Sequence, residues 1–204
     1  ELHLHQGTPQ QIASMLQRGE TELGLATELL HLFGDLVLLP CYRWNRCVVV
    51  PAGHPLAELD RLSLTDIAEF PLVTYVFGLT GRGHVNEAFA EAGLEPRVAV
   101  AATDAEVIKT YVRAGLGVGI VARMAVEEAD LTDLRVLDAG HLFPSEITSV
   151  AMREGMPLQG PAGDLIRAFA PHISAQDIAD AERVGSGPDK QALFQALAAR
   201  LAAS

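Results

Sequence analysis

The order of strand-like and helix-like segments is the feature that most limits how this chain can fold. Strands and amphipathic helices alternate in two stretches, separated by one long extended segment, LVLLPCYRWNRCVVVPAGHPL. A strand, a helix and a second strand at this spacing form a βαβ unit, which implies a parallel sheet. We therefore predict an α/β fold with two lobes and a cleft between them.

Local signals place the first elements. The segment ELHLHQG is predicted to be a strand, because leucine and histidine alternate in it. The helix after it has Thr8 as N-cap and Pro9 as its first residue, and Gly19 ends it. The long extended segment is predicted to break at Pro40 and again at 51–55. Because a domain rarely opens within a sheet, we expect the chain to be a fragment of a longer protein.

The chain leaves one α/β unit and later returns to it, which predicts a discontinuous domain. Residues 1–46 and 145–174 are expected to form subdomain I, which is incomplete at its N-terminus. Residues 47–144 are expected to form subdomain II, and residues 175–204 a helical C-terminal tail.

Composition excludes several classes of partner. The formal net charge is −11, which argues against nucleic-acid binding by this chain alone, since that affinity comes from clustered Lys and Arg. Apolar runs are too short to span a bilayer, so we expect no membrane partner. With two cysteines, Cys41 and Cys47, a disulfide scaffold is not expected and the cytoplasm is the predicted compartment.

Three motifs could bind a nucleotide, bind a metal or supply a nucleophile, but each has a simpler structural explanation. The glycines of AGLGVGIV have a spacing typical of nucleotide loops, but they end a helix and start a strand, which is the reverse order. His3 and His5 share a strand face without a third ligand nearby, so structural histidines are favoured and no metal is expected. Cys41 is a nucleophile only beside a positioned base, which no motif supplies. We predict no cofactor and no enzymatic activity.

Three threonines lie at element boundaries. Thr27 ends a strand, whereas Thr80 and Thr103 each open a helix. Ligands of open α/β sheets collect at the carboxyl ends of strands, opposite helix N-termini. Hydroxyl and backbone N–H groups donate several hydrogen bonds to an oxyanion. These positions therefore predict a pocket for a small anion.

The segment VFGLTGRGHVNEAF supports two interpretations. Thr80 is either an ordinary N-cap or a ligand that holds an anion with the backbone N–H groups of Gly81 and Arg82. Both remain open from this segment alone.

Four stretches resemble a known family: HQGTPQQIA, ATELLHLFGDLVLLPCYRWNR, PLVTYVFGLTGR and ATDAEVIKTYVRAGLGVGIVA. They are similar to the effector-binding domain of CysB-type regulators, a branch of the LysR-type transcriptional regulators, over about residues 1–174. The resemblance implies a periplasmic-binding-protein-like fold of two α/β subdomains with the effector in the cleft. It also implies that the effector is a sulfur-assimilation signal, namely sulfate, an acetylated serine or adenosine phosphosulfate.

The resemblance also implies roles for particular residues. Thr27 and Thr80 match threonines that hold sulfate, and Trp44 matches a tryptophan implicated in signalling. Thr103 is added as a ligand from the helix-start argument. The family's winged helix-turn-helix and first strand and helix, which carry DNA binding and other anion ligands, are absent from this sequence.

Two functions of different classes share this fold. The favoured one is the effector-sensing domain of a regulator of sulfur assimilation and cysteine biosynthesis, assembled as a homodimer or homotetramer and contacting DNA only through the absent segment. The alternative is a periplasmic-type solute-binding protein for a small oxyanion.

Overall fold

The computed structural model describes residues 2–27, 33–76, 82–158 and 160–201. In chain order the elements are α1 (Pro9–Arg18), β1 (Leu23–Ala26), β2 (Leu36–Trp44), β3 (Arg46–Pro51), α2 (Leu64–Ala68), β4 (Leu72–Tyr75), α3 (Arg82–Glu91), β5 (Val98–Ala102), α4 (Ala105–Arg113), β6 (Val118–Ala122), β7 (Leu134–Asp138), β8 (Glu146–Arg153), α5 (Ala162–Phe169), α6 (Ala175–Arg183) and α7 (Gly187–Leu201). Short 3-10 helices lie at Pro55–Glu58, Arg123–Ala125 and Glu128–Thr132. Within these described ranges, every helix is too short or too polar to cross a bilayer.

The chain divides into two compact units. Unit 1 consists of Glu1–Arg43 and Ile147–Ser204, and unit 2 of Trp44–Glu146. The chain therefore passes from one unit to the other between β2 and β3, and again at the start of β8. The C-terminal helices α6 and α7 belong to unit 1.

Unit 1 is built on a three-stranded sheet in the order β1-β8-β2. Strands β1 and β8 are antiparallel, with Leu23 opposite Met152. Alternate strand residues face opposite sides, so α1 packs on one face through Ala13 and Leu16. Helices α5, α6 and α7 pack on the other face, where Leu197 of α7 is fully buried.

Helix α1 is where sequence and structure agree in most detail. Thr8 is the N-cap and accepts a hydrogen bond from the Gln11 backbone N–H at 3.3 Å, while the Gln11 side chain accepts one from the Thr8 N–H at 2.8 Å. Pro9 is the first helical residue, and Gly19 ends the helix with a φ of 70°. All three predicted boundary residues are confirmed.

Two predictions about extended segments are wrong. Residues 2–8 form neither helix nor strand, and Leu2 and Leu4 are 66% and 84% exposed, because no strand in the described ranges pairs with them. Pro40 does not break the extended segment but lies inside β2, and the interruption is at Asn45. Among the described strands β2 is at a sheet edge, where a residue without an N–H group is tolerated.

Unit 2 is built on a five-stranded sheet in the order β5-β4-β6-β3-β7. Strand β4 is parallel to both β5 and β6, as the predicted βαβ pattern requires. Strand β3 is antiparallel to β6 and to β7, so the sheet is mixed and its parallel part is limited to β5, β4 and β6. The chain connects β3 to β4 through the short helix α2, and β4 runs in the direction opposite to β3.

Helices cover both faces of this sheet. Val48 and Val50 of β3 face α2 and α3, where Val85 and Phe89 anchor α3. The intervening residues of β3 face α4, which packs through Ile108 and Val112. Because α3 follows β4 in the chain, its first turn lies beyond the carboxyl end of a parallel strand, the usual position of ligands in α/β sheets.

Candidate functional site

The first turn of α3 carries the described part of the predicted anion site. Helix α3 begins at Arg82, whereas Thr80 and Gly81 lie outside the described residues, so their roles stay predictions. The Nη1 atom of Arg82 is buried, and among the described residues nothing accepts a hydrogen bond from it. Burial lowers the pKa of Arg82. A buried guanidinium nitrogen without an acceptor is costly, and an oxyanion would remove that cost.

A buried ionic cluster lies next to this turn. His84 donates from Nδ1 to Glu146 Oε1 at 2.7 Å, and Arg46 donates from Nη2 to the same oxygen at 2.6 Å. The side chains of Arg46 and Glu146 are 2% and 5% exposed, whereas that of His84 is 43% exposed. Glu146 therefore connects a half-exposed group on α3 to a fully enclosed group on β3.

Trp44 is the fourth member of this cluster. It ends β2, is 7% exposed, and lies under the Arg46 guanidinium, whose carbon is 5.2 Å from the ring centroid. Arg46 also donates from Nη1 to the Pro144 carbonyl at 3.2 Å. The predicted importance of Trp44 stays a prediction, but its surroundings are now defined.

Thr27 is held within unit 1. It follows β1, and its Oγ1 is 3.1 Å from Oγ1 of Thr148, a buried residue of β8. When Thr148 is the donor, the Thr27 hydroxyl hydrogen can still donate to a ligand. Its assignment as an anion ligand remains a prediction.

Thr103 does not cap α4. Asp104 is the N-cap, and its Oδ1 accepts a hydrogen bond from the Val107 N–H at 2.9 Å, while Thr103 is exposed one residue earlier. A carboxylate at this position also interacts favourably with the helix dipole, which explains why Asp104 takes the cap. The helix-start argument for Thr103 is therefore wrong, and its role as a ligand rests on the prediction alone.

The remaining motifs have structural roles. Burial raises the pKa of Cys41 to about 11 and that of Cys47 to about 12, so both are thiols at neutral pH. A Cβ on Gly117 would lie 2.1 Å from the Pro71 carbonyl oxygen, and one on Gly119 would lie 2.5 Å from a Val49 methyl. These two glycines thus permit close packing around β6. Over the described ranges, no group of three or more His, Cys, Asp or Glu is arranged to hold a metal ion.

Comparison with known proteins identifies the family. The family described as LysR substrate binding domain matches residues 1–174. The chain belongs to this family, which confirms the resemblance noted in the sequence. The cofactor-binding domain of the Cbl transcriptional regulator has a similar structure, with a TM-score of 0.81 and 39% identity over 86% of this chain and 77% of that one. Further structural relatives include the effector-binding domain of QuiR, so the predicted two-lobed fold class is confirmed.

Curated relatives are transcriptional regulators. The chain is 48% identical to SsuR of Burkholderia cenocepacia over 178 residues, which is 87% of this chain and 58% of that protein. It is 44% identical to CysB of Haemophilus influenzae over 196 residues, which is 96% of this chain and 60% of that protein. The chain therefore spans about three fifths of these relatives. Both relatives are named as transcriptional regulators, so the alternative of a solute-binding protein is not favoured.

Sequence reasoning missed three residues that shape the site: Arg46, His84 and Glu146. Arg46 and Glu146 are 100 positions apart, so no local pattern connects them. The only usable indication was the quoted segment TGRGH itself, which places a histidine two residues after Arg82 in the first turn of the predicted helix.

Proposed function

We propose that this chain senses a small oxyanion for a transcriptional regulator of sulfur assimilation and cysteine biosynthesis. The observation that carries the proposal is the buried Nη1 atom of Arg82, which finds no acceptor among the described residues at the start of α3. Sulfate is the first candidate, and acetylated serine, thiosulfate and adenosine phosphosulfate are the competing effectors. The similarity to SsuR, CysB and Cbl supports the regulatory role.

The proposed ligand set is neutral apart from one cation. The Thr80 hydroxyl and the backbone N–H groups of Gly81 and Arg82 donate to the anion, and the Arg82 guanidinium supplies the charge. The Thr27 hydroxyl is proposed as a further donor, Trp44 as a residue that responds to binding, and Thr103 as a peripheral ligand. One cation is sufficient, because several neutral donors share the dehydrated oxyanion with it.

Calorimetric titration with sulfate tests this site. Arg82→Gln keeps much of the side-chain volume but removes the charge, and Thr80→Val removes only the hydroxyl. Each variant is expected to lose about 1.5–3 kcal/mol, or roughly ten- to a hundredfold in affinity, because a charge-assisted hydrogen bond is lost. Arg97→Gln, an exposed site in the same unit, is the control and should bind like the wild type. Wild-type affinity in Arg82→Gln would contradict the proposal.

DNA binding is proposed for another part of the regulator, acting in the cytoplasm. The charge of −11 makes this chain a poor partner for a phosphate backbone. A gel-shift assay with this chain alone should show no retardation of DNA at physiological salt, and strong retardation would contradict the proposal.

Self-association is proposed through the outer edge of unit 2. Strand β5 is the last strand in its sheet order, and Val98 on it is 40% exposed. On the adjacent helix α4, Val107 and Tyr111 are 37% and 38% exposed. An apolar strand edge beside an apolar helix face suits an isologous dimer or tetramer contact. In light scattering, Val107→Glu should shift the protein towards monomer, whereas the control Met124→Glu, at an exposed site in a 3-10 helix, should not.

A further inference from the structure

Strand β2 combines an apolar sequence with a place at the edge of a sheet. Its first seven residues, LVLLPCY, carry no charged side chain. Among the described strands of unit 1, β2 is last in the sheet order and has β8 as its neighbour. The outer side of an edge strand offers backbone N–H and C=O groups to any partner, and an uncharged strand does not repel a second copy of itself. Such a strand therefore needs a cover.

One position on this edge is closed by a side chain of unit 1. Pro40 has no N–H group to donate, and its carbonyl accepts a hydrogen bond from His172 Nε2 at 2.9 Å. This contact blocks strand pairing at Pro40 itself. Residues 36–39, which precede it, need a different cover.

Helix α7 is fastened beside both ends of that stretch. Lys190, in the first turns of α7, donates to the Gly34 carbonyl at 2.5 Å. Arg200, in its last turn, donates to the His172 carbonyl at 3.4 Å. Because His172 also holds the Pro40 carbonyl, α7 runs alongside β2 from Gly34 to Pro40.

A small buried face and ion pairs near both ends hold α7 in place. Leu197 is fully buried in the core cluster that includes alternate residues of β2. Lys190 pairs with Glu154, and Arg200 pairs with Asp177 at 2.7 Å. The Arg200 side chain is 48% exposed, so its ion pair adds little stability. Loss of the Leu197 contact should therefore undock the helix while the rest of unit 1 stays folded.

We propose that α7 is a strap that shields β2 from pairing with the β2 strand of a second copy. The strap lies beyond residues 1–174, the part of the chain that defines the family. While α7 is docked, the apolar stretch of β2 is enclosed within unit 1. When α7 undocks, two identical edges join as an isologous pair. This association differs from the contact proposed at β5, because β2 belongs to unit 1.

Leu197→Asp in the whole chain tests the strap, because it places a carboxylate at a fully buried position. Ala196→Asp is the matched control, since it puts the same charge on the exposed side of α7. Hydrogen exchange reports whether α7 is docked, and light scattering over a concentration series reports association. In Leu197→Asp the α7 amides should exchange at least about tenfold faster, and the mean mass should rise towards about twice that of the wild type. Ala196→Asp should match the wild type in both measurements.

A second substitution shows whether β2 is the contact. A lysine on an edge strand opposes pairing, so Leu38→Lys added to Leu197→Asp should remove the extra association while α7 stays undocked. Lys190→Gln combined with Arg200→Gln releases the strap without a charge in the core. This double variant should show the same two changes to a smaller extent, and it decides the question if Leu197→Asp does not fold.

Three results would overturn the inference. Faster exchange in α7 with wild-type association would mean that β2 needs no shield. Extra association that survives Leu38→Lys would place the contact on another surface. Amides of α7 that stay protected in every folded variant would mean that α7 does not separate from unit 1.

Discussion

Unit 2 contains two buried carboxylates that are held in different ways. Asp130, in the 3-10 helix Glu128–Thr132, accepts from Lys109 Nζ at 2.6 Å and from Arg113 Nη2 at 2.7 Å. Both cations belong to α4, and the Lys109 side chain is 1% exposed. Glu146 also accepts from two groups, but one of them, His84, is half exposed and lies on the proposed anion-binding turn.

The difference teaches that burial of a charge does not by itself define its role. The Asp130 cluster is closed, since Lys109 also contacts Ala125 and Glu106. Burial alone would raise the pKa of Asp130, but the hydrogen bonds from Lys109, Glu127 and Arg113 outweigh it and lower that pKa to about 2. The Glu146 cluster includes one partner, His84, whose side chain is 43% exposed. We therefore expect the first cluster to contribute more to stability than the contact between His84 and Glu146 does.

The largest stability effect is expected for Asp130→Asn. It removes the buried counter-charge of the Lys109 ammonium and leaves it only the exposed carboxylate of Glu106, so the free energy of unfolding should fall by about 3–5 kcal/mol. Chemical denaturation followed by circular dichroism measures the change. The control is Asp133→Asn, whose side chain is 51% exposed and which should cost less than about 1 kcal/mol. Equal losses in the two variants would mean that the buried Asp130 contributes no more stability than the exposed Asp133, which would contradict our assignment.

Acid should reveal the same cluster in the wild type. The pKa values of Asp130 and Asp177 are about 2 in the folded protein, below the ordinary aspartate value of 3.8. Their contribution to stability is therefore complete above about pH 4 and is lost as pH falls through about 2. Thermal unfolding across this range should show the loss. Asp130→Asn should show a smaller acid-dependent loss than the wild type, and an unchanged one would count against the assignment.

Gly119→Ala tests how firmly α4 is seated beside the Asp130 cluster. Its Cβ would lie 2.5 Å from a methyl of Val49 and 2.8 Å from one of Val112, so about 1–3 kcal/mol of stability should be lost through overpacking. Gly53→Ala, which meets nothing within 4 Å, is the control for the change of residue type. A stable Gly119→Ala protein would mean that α4 can move away from the sheet at little cost.

The smallest stability effect is expected for His84→Gln. Its side chain is half exposed, so loss of its hydrogen bond to Glu146 should cost less than about 1 kcal/mol in urea denaturation. A cost as large as that of Asp130→Asn would mean that the contact between His84 and Glu146 stabilises the fold as strongly as the Asp130 cluster does.

Local signals predicted much of the fold. Thr8, Pro9 and Gly19 define α1 because the groups that satisfy a helix end are supplied by adjacent residues. The strand predicted at ELHLHQG is wrong because a strand needs a partner, and alternation within one segment does not supply it. The direction of β3 was missed for the same reason, since it depends on how a later connection returns to the sheet.

The candidate site was only partly accessible from sequence. Arg82 was named for its backbone N–H, and the structure adds its buried guanidinium nitrogen, which no helix-start rule foresees. Thr103 was predicted to be the N-cap of α4, but the N-cap is Asp104, the next residue. Glu146 had no sequence indication at all, because its role depends on Arg46 and His84, which reach it only in the folded unit.

A crystal structure of the protein grown with selenate would test most directly whether Arg82 binds an oxyanion. Selenate replaces sulfate and gives an anomalous signal that locates it without ambiguity. We expect an anomalous peak at the start of α3, with a selenate oxygen about 2.7–2.9 Å from Arg82 Nη1 and a second within hydrogen-bond distance of the first N–H groups of the helix. Selenate ordered only elsewhere, with Arg82 Nη1 bonded to a protein carbonyl, would contradict the account.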